Sequence, residues 1–268
     1  MIIVKAGGSA GINMDAVCSD VVSLAQQGEQ VVLVHGSSHE TNVISEKLGH
    51  PPRFVTSPSG HVSRYTDRQT LEIMAMVTAG RINKLLVEKL QQLGVNALGL
   101  SGLDGRLLEG KRKSALRIVE NGKHKVLRGE YSGIIEKVNV DLLHMLLEAG
   151  YVPVVAPLAV SHAGEAVNVD GDRVAAAIAT ALKARTVVIL SNVPGLLRDP
   201  GDETTIVSQI QLVHIHGYLE RYARGAMKRK LLGAMEALHD GVGQVILSDG
   251  RVAQPLQQAL AGHGTTIQ

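Results

Sequence analysis

The sequence predicts an α/β fold: a three-layer α/β/α sandwich in which helices cover both faces of a mainly parallel, open sheet. Two patterns lead to it. Short runs that are apolar throughout alternate with longer amphipathic stretches, and strands without a polar face are typical of a parallel sheet buried between helices. Turns rich in Gly and Ser follow several of the runs. Ligands bind at the carboxyl ends of strands in such sheets, so we expect the site there.

The predicted strands are rich in Val, Ile and Leu. They lie at residues 2–4, 31–34, 95–100, 152–156, 186–190 and 244–247. Stretches with apolar residues at helical spacing lie between and after them. These predicted helices are at about 14–27, 39–48, 67–93, 138–149, 171–183 and 227–239. At 268 residues the chain is within the range of one large α/β domain.

The composition excludes several classes of protein. Aromatic residues are scarce, with one Phe and no Trp, which argues against recognition of nucleic acids by base stacking. The net charge of +2 is too small for general binding of nucleic acid. The single cysteine, Cys18, excludes an intrachain disulfide. No apolar run approaches the ~20 residues of a membrane helix and no signal peptide is visible, so we expect a cytoplasmic protein without nucleic-acid or membrane partners.

Turns that could hold an anion follow three of the predicted strands. They are Gly7-Gly8, His35-Gly36-Ser37 and Ser191-Asn192-Val193-Pro194-Gly195. Backbone N–H groups at the start of a helix bind phosphate well. Ordinary strand–helix turns also favour Gly and Ser, but two such turns after the first two strands favour the anion-binding interpretation. The chain has no P-loop motif, and no His-x-x-x-His pair lies on a predicted helix, so we predict no dedicated metal site.

Charged residues from distant parts of the chain suggest chemistry on phosphate. Lys5 follows the first strand run, Asp172 lies at the start of a predicted helix, and Lys228 and Lys230 lie near the start of the last one. A carboxylate between two lysines would hold positive charge over a phosphoryl group during transfer, which requires positioning and charge neutralisation. The spacing does not show that these groups meet. Either Lys228 or Lys230 could be the lysine that joins Lys5 and Asp172.

A basic hairpin interrupts the strand–helix alternation between residues 105 and 135. Residues 112–119 and 123–127 read as two strands joined by Asn121-Gly122, a favoured two-residue turn. The segment carries Lys111, Arg112, Lys113, Arg117, Lys123, Lys125 and Arg128, opposed within it by Glu120 alone. Such a hairpin in a nearly neutral protein predicts an acidic partner. A solvated edge strand that uses Lys and Arg against aggregation is the other interpretation.

Arg64 precedes the predicted helix at 67–93, for which Thr66 or Asp67 is the expected cap. An arginine held at that place could bind a substrate carboxylate through two hydrogen bonds. An ordinary surface arginine is the alternative.

These motifs, taken together in their order and spacing, resemble those of the amino acid kinase family, most closely its acetylglutamate kinase branch. The resemblance covers essentially the whole chain. It is carried by Lys5 with Gly7-Gly8, His35-Gly36, Arg64-Tyr65-Thr66-Asp67, Asn168-Val169-Asp170-Gly171-Asp172, the segment 191–197 and Gly225-Ala226-Met227-Lys228-Arg229-Lys230. The segments 54–60 and 99–106 and the basic hairpin further resemble kinases of carrier-protein lysine biosynthesis, which phosphorylate 2-aminoadipate.

The resemblance implies one amino acid kinase domain over residues 1–268. Residues 1–170 would form a substrate-binding lobe, with the basic hairpin at 111–129 as a lid or insertion, and residues 171–268 a nucleotide-binding lobe. ATP would be the phosphoryl donor, with Mg²⁺ bound mainly through its phosphates. The expected partner is a small acidic amino-group carrier protein that bears the substrate, and a homodimer is expected.

The resemblance also implies a role for each motif. Lys5 and Lys230 would stabilise the transferring phosphoryl group, and Asp172 would orient both; the Gly-x-Met-x-x-Lys spacing favours Lys230 over Lys228. The substrate would be held by His35, Gly36, Ser37, Arg64 and Asn168. The nucleotide and its phosphates would be bound by Gly7, Gly8, Ser191, Asn192, Gly195 and Leu196. The carrier protein would contact Lys111, Arg112, Lys113, Arg117, Lys123 and Lys125.

One departure from the family pattern bears on the substrate. Acetylglutamate kinases usually have His-Gly-Gly-Gly where this chain has His35-Gly36-Ser37-Ser38. A serine there narrows the loop or adds a hydroxyl to the site, which fits a substrate other than free acetylglutamate. An acetylglutamate kinase of arginine biosynthesis, an enzyme of dual substrate, and a non-catalytic sensor of nucleotides or amino acids remain the alternatives.

Overall fold

The computed structural model describes residues 1–60 and 62–268. The strands of this part are β1 Ile2–Ala6, β2 Val31–His35, β3 Phe54–Thr56, β4 Val62–Arg64, β5 Ala97–Ser101, β6 Leu108–Arg112, β7 Ala115–Glu120, β8 Lys123–Arg128, β9 Gly133–Val138, β10 Val152–Ala156, β11 Leu158–Ser161, β12 Ala166–Asn168, β13 Thr186–Ser191, β14 Gln209–Ile210, β15 Gln244–Asp249 and β16 Thr265–Ile267. The α-helices are α1 Met14–Gln26, α2 Ser38–Lys47, α3 Arg68–Ala75, α4 Asn83–Gln92, α5 Val140–Glu148, α6 Gly171–Ala181, α7 Ile215–Arg221, α8 Gly225–His239 and α9 Pro255–Leu260. A π-helical segment, Met76–Ile82, joins α3 to α4.

A central sheet of eight strands has the order β14-β16-β15-β13-β1-β2-β10-β5. Neighbouring strands are parallel except for β15 and β16, which are antiparallel. The first strand of the chain lies inside the sheet, between β13 and β2, and all five of its residues are buried. Such a strand must be apolar on both faces, which explains the run at the start of the sequence.

Helices cover both faces of the sheet, because alternate residues of each strand point to opposite sides. Ile3 packs into one core with residues of α5, α6 and α8. Ile2 and Val4 pack into a second core with residues of α1, α4 and α9. The three-layer α/β/α sandwich predicted from the sequence is confirmed.

The six predicted strands all belong to the central sheet, with ends within two residues of those predicted. The six predicted helices are also present, and the one predicted at 67–93 comprises α3, the π-helical segment and α4. In the two smaller sheets only the hairpin strands β7 and β8 were predicted. The remaining short strands, and the short helices α7 and α9, lack a strong pattern and were not predicted. No helix in the described part of the chain combines the length and apolarity needed to cross a bilayer.

Two four-stranded sheets, β12-β11-β6-β9 and β4-β3-β7-β8, stand beside the central one. The predicted hairpin is β7 and β8, and its turn residues Asn121 and Gly122 have φ values of 52° and 73°, as a turn of the predicted kind requires. The predicted first strand began too early. Lys111 and Arg112 belong to β6, where they pair with Ile134 and Gly133 of β9, so they are not part of the hairpin.

Candidate active site

Three turns meet at one edge of the central sheet. They follow β13, β1 and β2, which are neighbours in the sheet and parallel, so their carboxyl ends lie side by side. These are the turns predicted to hold anions. The open edge of a parallel sheet is where ligands bind in folds of this kind.

A charge cluster of Lys5, Asp172 and Lys230 lies beside these turns. Lys5 Nζ lies 2.9 Å from Asp172 Oδ1 in an ion pair. Lys230 Nζ donates a hydrogen bond of 2.8 Å to Asp172 Oδ2. The three side chains are 10%, 16% and 11% exposed in the order Lys5, Asp172 and Lys230. The two lysines come from opposite ends of the chain, and the carboxylate lies between them as hypothesised.

The position of each member follows from its element. Lys5 shares a face of β1 with Ile3, on the side of the sheet covered by α6 and α8. Asp170 caps α6 by accepting hydrogen bonds from the amides of residues 172 and 173, which fixes Asp172 in the first turn. Lys230 lies in α8 and is buried, whereas Lys228 of the same helix is exposed. The structure therefore identifies Lys230 as the lysine of the cluster.

The electrostatics of the cluster depend on its burial. Burial alone would raise the pKa of Asp172, but the ammonium groups of Lys5 and Lys230 outweigh it and hold that pKa well below the usual range. Burial, together with the nearby charge of Lys5, lowers the pKa of Lys230, against the opposing effect of Asp172. Two ammonium groups and one carboxylate leave a net positive charge in a place from which most water is excluded. Such a charge favours an incoming phosphate.

The first two turns pack backbone against backbone at Gly8 and Gly36. A Cβ atom at Gly8 would lie 2.3 Å from the backbone N of residue 37, and one at Gly36 would lie 2.5 Å from the backbone N of Gly8. Only glycine fits at either position. The contact is held by hydrogen bonds from the His39 amide and the Ser38 hydroxyl to the Gly8 carbonyl. The amino terminus of α2 thus lies against the first turn, where its unpaired N–H groups favour an anion.

Ser37 does not behave as the comparison with a glycine suggested. Its hydroxyl is hydrogen-bonded to Thr41 in α2, at 3.2 Å, and to Thr78 in the π-helical segment, and the residue is buried. The Ser37 hydroxyl is therefore not presented to the site, whereas the hydroxyl of the exposed Ser38 lies at the first turn, on the Gly8 carbonyl; that the serines narrow the turn stays a prediction. Ser37 anchors α2 to the long helix behind it, which leaves its backbone as the part that can face a ligand.

His35 is a core residue. Its imidazole is fully buried and its Nε2 accepts a hydrogen bond from Asn83 Nδ2, which also donates to the Val154 carbonyl. Burial lowers the pKa of His35 to about 4, so the ring is neutral at physiological pH. The imidazole cannot contact the substrate, because no surface of the ring reaches the site; a contact through the backbone of His35 stays a prediction. The residue instead supports the turn that follows it.

Arg64 and Asn168, predicted to hold the substrate, lie in two chain segments that are joined through Thr66. Arg64 donates one hydrogen bond from Nη2 to the Ser38 carbonyl, while its buried Nη1 has no partner among the described residues. Asn168 Nδ2 donates to the Thr66 hydroxyl at 3.1 Å. A guanidinium nitrogen without a partner is costly to bury, and a carboxylate ligand would satisfy it. The geometry fits the predicted role of Arg64, which stays a prediction.

The segment after β13 contains both exposed and buried residues. Asn192 is exposed, but Leu196 is buried and its amide donates to the Thr265 hydroxyl at 2.8 Å. A Cβ atom at Gly195 would lie 2.5 Å from that hydroxyl oxygen, which requires glycine. Leu196 therefore anchors the segment to the core and offers no surface to a nucleotide. Ser191 and Asn192 remain candidates for that contact.

Glu130 is a residue near the site that the sequence did not indicate. Its carboxylate is buried and accepts hydrogen bonds from the amides of Thr66 and Ser132. Burial raises the pKa of Glu130, and these hydrogen bonds partly oppose the shift. The Asn168 amide donates to the Tyr131 carbonyl beside it. Glu130 thus joins the loop that carries Arg64 to the segment that carries Asn168, a long-range contact without any local sequence signal.

The cations predicted to contact a carrier protein differ in how free they are. Arg112 is engaged by neighbouring residues: it donates two hydrogen bonds of 2.9 Å to the Glu165 carboxylate and lies 3.5 Å from the centre of the Tyr131 ring. Its predicted role in partner binding is replaced by a structural one. Lys125 forms an ion pair with Glu120. Lys111, Lys113, Arg117 and Lys123 are exposed, and none of them forms an ion pair with another described residue.

Acidic side chains are sparse at the site. Within residues 1–60 and 62–268, no three His, Cys, Asp or Glu side chains come together as metal ligands. Asp172 is already occupied by two ammonium groups. A magnesium ion that accompanies a nucleotide would therefore be held chiefly by the nucleotide's phosphates, which it would partly neutralise.

Comparison with known proteins agrees with this geometry. A family model described as "Amino acid kinase family" matches residues 1–249. A protein of Deinococcus radiodurans named "[LysW]-aminoadipate kinase" is 58% identical over 267 residues, which is all of this chain and 91% of that protein. A protein of the same name from Thermus thermophilus is 54% identical, and the match covers both chains fully. An "Acetylglutamate kinase" of Methanopyrus kandleri is 37% identical, again over both full lengths.

Solved structures show the same fold. The N-acetylglutamate synthase of Neisseria gonorrhoeae superposes with a TM-score of 0.80 at 26% identity, over 99% of this chain and 58% of that one. A carbamate kinase of Giardia superposes with a TM-score of 0.70 at 15% identity, over 99% and 97% of the two chains. The second likeness, at such low identity, concerns the fold alone.

Proposed function

This chain belongs to the amino acid kinase family, and on that premise we propose that it transfers the γ-phosphoryl group of ATP to a carrier-linked 2-aminoadipate. The acceptor would be the side-chain carboxylate, and the amino group would be attached to a small acidic carrier protein. The predicted family and enzyme class, a phosphotransferase with a carboxylate as acceptor, are confirmed. The observation that carries the reaction is the buried cluster of Lys5, Asp172 and Lys230 beside the glycine turns.

The reaction brings two anions together. A carboxylate oxygen attacks the γ-phosphorus, the bond from that phosphorus to the β–γ bridging oxygen breaks, and ADP leaves as an acyl phosphate forms. The acceptor is already ionised at pH 7, so no general base is needed. What the site must supply is positive charge where water is excluded. Lys5 and Lys230 would supply it, and Asp172 would keep both ammonium groups in place before the substrates bind.

The other site residues would position the two substrates. The backbone of Gly7 and Gly8 and the turn at Gly36 and Ser37 would line the path of transfer. Arg64, with its unpartnered guanidinium nitrogen, would bind a carboxylate of the acceptor, and Asn168 would bind its amide end. Ser191 and Asn192 would border the nucleotide. The division into a substrate lobe before residue 170 and a nucleotide lobe after it, the homodimer and the cytoplasmic location remain parts of the proposal.

Two observations favour carrier-linked aminoadipate over free N-acetylglutamate. The relatives at 58% and 54% identity are named for aminoadipate and LysW, whereas the acetylglutamate kinase is 37% identical. The chain also has an exposed basic hairpin, which suits an acidic protein partner better than a small substrate. Acetylglutamate kinase activity is the second candidate, since that relative matches over its full length. The intact charge cluster argues against a non-catalytic sensor.

The test is an assay of ADP release with matched acceptors. Carrier protein bearing 2-aminoadipate, the same carrier without it, and free N-acetylglutamate are compared at saturating ATP and Mg²⁺. We expect kcat/KM to be at least about a hundredfold higher with the loaded carrier than with free N-acetylglutamate, since the carrier adds a binding surface. Equal values would favour the acetylglutamate alternative, and no ADP release with any acceptor would favour a sensor.

A further inference from the structure

The hairpin sheet, β4-β3-β7-β8, has two faces of different character. Residues that pair directly across antiparallel strands lie on the same face, as do alternate residues along a strand. The pairs Phe54–Arg64, Thr56–Val62, Thr56–Val119 and Arg117–Val126 therefore define one face. This outer face comprises Phe54, Thr56, Val62, Arg64, Ala115, Arg117, Val119, His124, Val126 and Arg128. The other, the inner face, includes the buried residues Val55 and Ile118, so the body of the protein covers part of it.

The charges are divided unequally between the faces. Glu120 is the only acidic residue of the four strands, and it lies on the inner face, where Lys125 and Arg53 both bind it. The outer face has three arginines and no carboxylate. The inner face thus has one carboxylate, Glu120, beside Lys123 and Lys125. The outer face has no carboxylate at all, and its cations have no ion-pair partner among the described residues.

The outer face is also apolar. Phe54, Val62 and Val126 are 52%, 54% and 60% exposed. Exposed apolar side chains grouped on one face, with cations among and around them, are typical of a protein-binding surface. Because the cations are unopposed, the complementary surface must be acidic. A solvated edge that uses Lys and Arg to block aggregation would have no reason to gather its apolar side chains on the face where the arginines are unpaired.

The outer face leads directly to the candidate active site. Arg64 lies at the border between the outer face and the site. Its guanidinium lies 5.4 Å from the centre of the Phe54 ring on one side and donates to the Ser38 carbonyl on the other. Ser38 in turn binds the Gly8 carbonyl. A partner seated on the outer face would therefore have its edge at Arg64, which is where a tethered acceptor must enter.

We propose that the acidic carrier protein docks on the outer face of the hairpin sheet, with Phe54, Val62 and Val126 beneath it and Arg117 and Arg128 at its border. The proposal rests on the proposed function. It also changes the predicted contact set: Lys123 and Lys125 lie on the inner face, and Lys111 and Arg112 lie in β6. These four residues do not make the contact, whereas Arg128 and the apolar residues do.

The test compares charge reversals that match in number but differ in face. The outer variant is Arg117→Glu with Arg128→Glu, and the control is Lys123→Glu with Lys111→Glu; all four side chains are exposed. Affinity for carrier protein bearing 2-aminoadipate is measured by calorimetry, and kcat at saturating carrier by ADP release. We expect the outer variant to raise Kd at least about tenfold with kcat nearly unchanged, and the control to raise it less than about threefold. Val126→Ser should raise Kd about fivefold.

Three results would overturn the docking face. The first is equal loss of affinity in the outer variant and the control. The second is unchanged affinity in the outer variant together with a change in its mass in solution, which would assign the face to a second copy of this chain. In the third, wild-type protein binds no loaded carrier but phosphorylates free N-acetylglutamate. That third result removes the proposed function as well, whereas the first two leave it standing.

Discussion

The charge cluster and the hairpin sheet both present lysines or arginines to an anion, but they hold them in opposite ways. In the cluster, Lys5 and Lys230 come from different ends of the chain, are nearly buried and lie within 2.9 Å of one carboxylate. In the hairpin, Arg117 and Arg128 are exposed and stand on neighbouring strands joined by a two-residue turn. One region fixes a few charges in place, and the other displays charges at the surface.

The two regions therefore use different properties of their charges. Water and salt screen an exposed charge over about 8–10 Å, so the hairpin cations act through their number and sign during association. A charge from which water is excluded acts far more strongly, and only at the position where it is held. We therefore expect substitutions in the cluster to change turnover and those in the hairpin to change affinity.

Removal of one cluster lysine should have the largest effect. Lys230→Ala and Lys5→Ala should each lower kcat by about 10²–10³, the usual cost of one preorganised donor, while the fold is retained. Single-turnover and steady-state ADP release would measure the loss, and circular dichroism would check the fold. Lys228→Ala is the matched control, since that exposed lysine of the same helix should alter kcat less than twofold or so. A similar loss of kcat in all three variants would mean that the number of lysines matters for turnover and that their positions do not.

Asp172→Asn should have a smaller effect on kcat and a distinct one on stability. The variant keeps the shape of the side chain but leaves two nearly buried ammonium groups without a counter-charge. We expect kcat to fall about tenfold to a hundredfold through misplaced lysines, and the free energy of unfolding to fall by about 3 kcal/mol. Urea unfolding would measure the latter. Asp170→Asn serves as the control, because asparagine also caps a helix and this change should cost less than about 1 kcal/mol. An equal loss of stability in both variants would mean that the charge of Asp172 does not stabilise the cluster.

A change in ionic strength should have the smallest effect. It should also distinguish the role of the hairpin cations from that of the charge cluster without any mutation. When ionic strength rises from about 0.05 M to about 0.5 M, KM for the loaded carrier should increase about fivefold, because exposed charges are screened. At saturating carrier and ATP, kcat should change little, because the cluster is shielded from solvent. A fall in kcat with an unchanged KM would reverse the roles assigned to cluster and hairpin.

Sequence patterns predicted the charged side chains of the site well, but they did not show which side chains of the same motifs are buried in the core. Lys5, Asp172 and Lys230 interrupt strongly patterned elements at places where a site was expected, and the structure brings them together. His35, Ser37 and Leu196 lie in the same motifs, yet their side chains point into the core. A motif gives the order of residues along the chain. Whether a side chain faces the ligand or the core depends on neighbours from elsewhere in the chain. For Ser37 those neighbours are Thr41 and Thr78.

The basic hairpin shows the same limit for a surface. Its turn at Asn121-Gly122 and its excess of positive charge were both visible in the sequence. The end of the preceding strand was not, because Arg112 continues the same run of basic residues although it pairs in another sheet. Nor does composition show that the one carboxylate, Glu120, lies on the inner face and leaves the outer face without any. That depends on the register of four strands, two of which lie about fifty residues earlier in the chain.

The layered α/β architecture and the chemistry of the site both follow from sequence patterns. Wholly apolar strands leave no face for water, so the sheet must be covered on both sides, and a phosphoryl transfer site needs glycine turns and fixed cations. The folded structure alone shows that Lys230 rather than Lys228 meets Asp172, that the imidazole of His35 is buried, and that the outer face of the hairpin sheet has no carboxylate. Each of these depends on contacts between distant segments, which local patterns of residues do not encode.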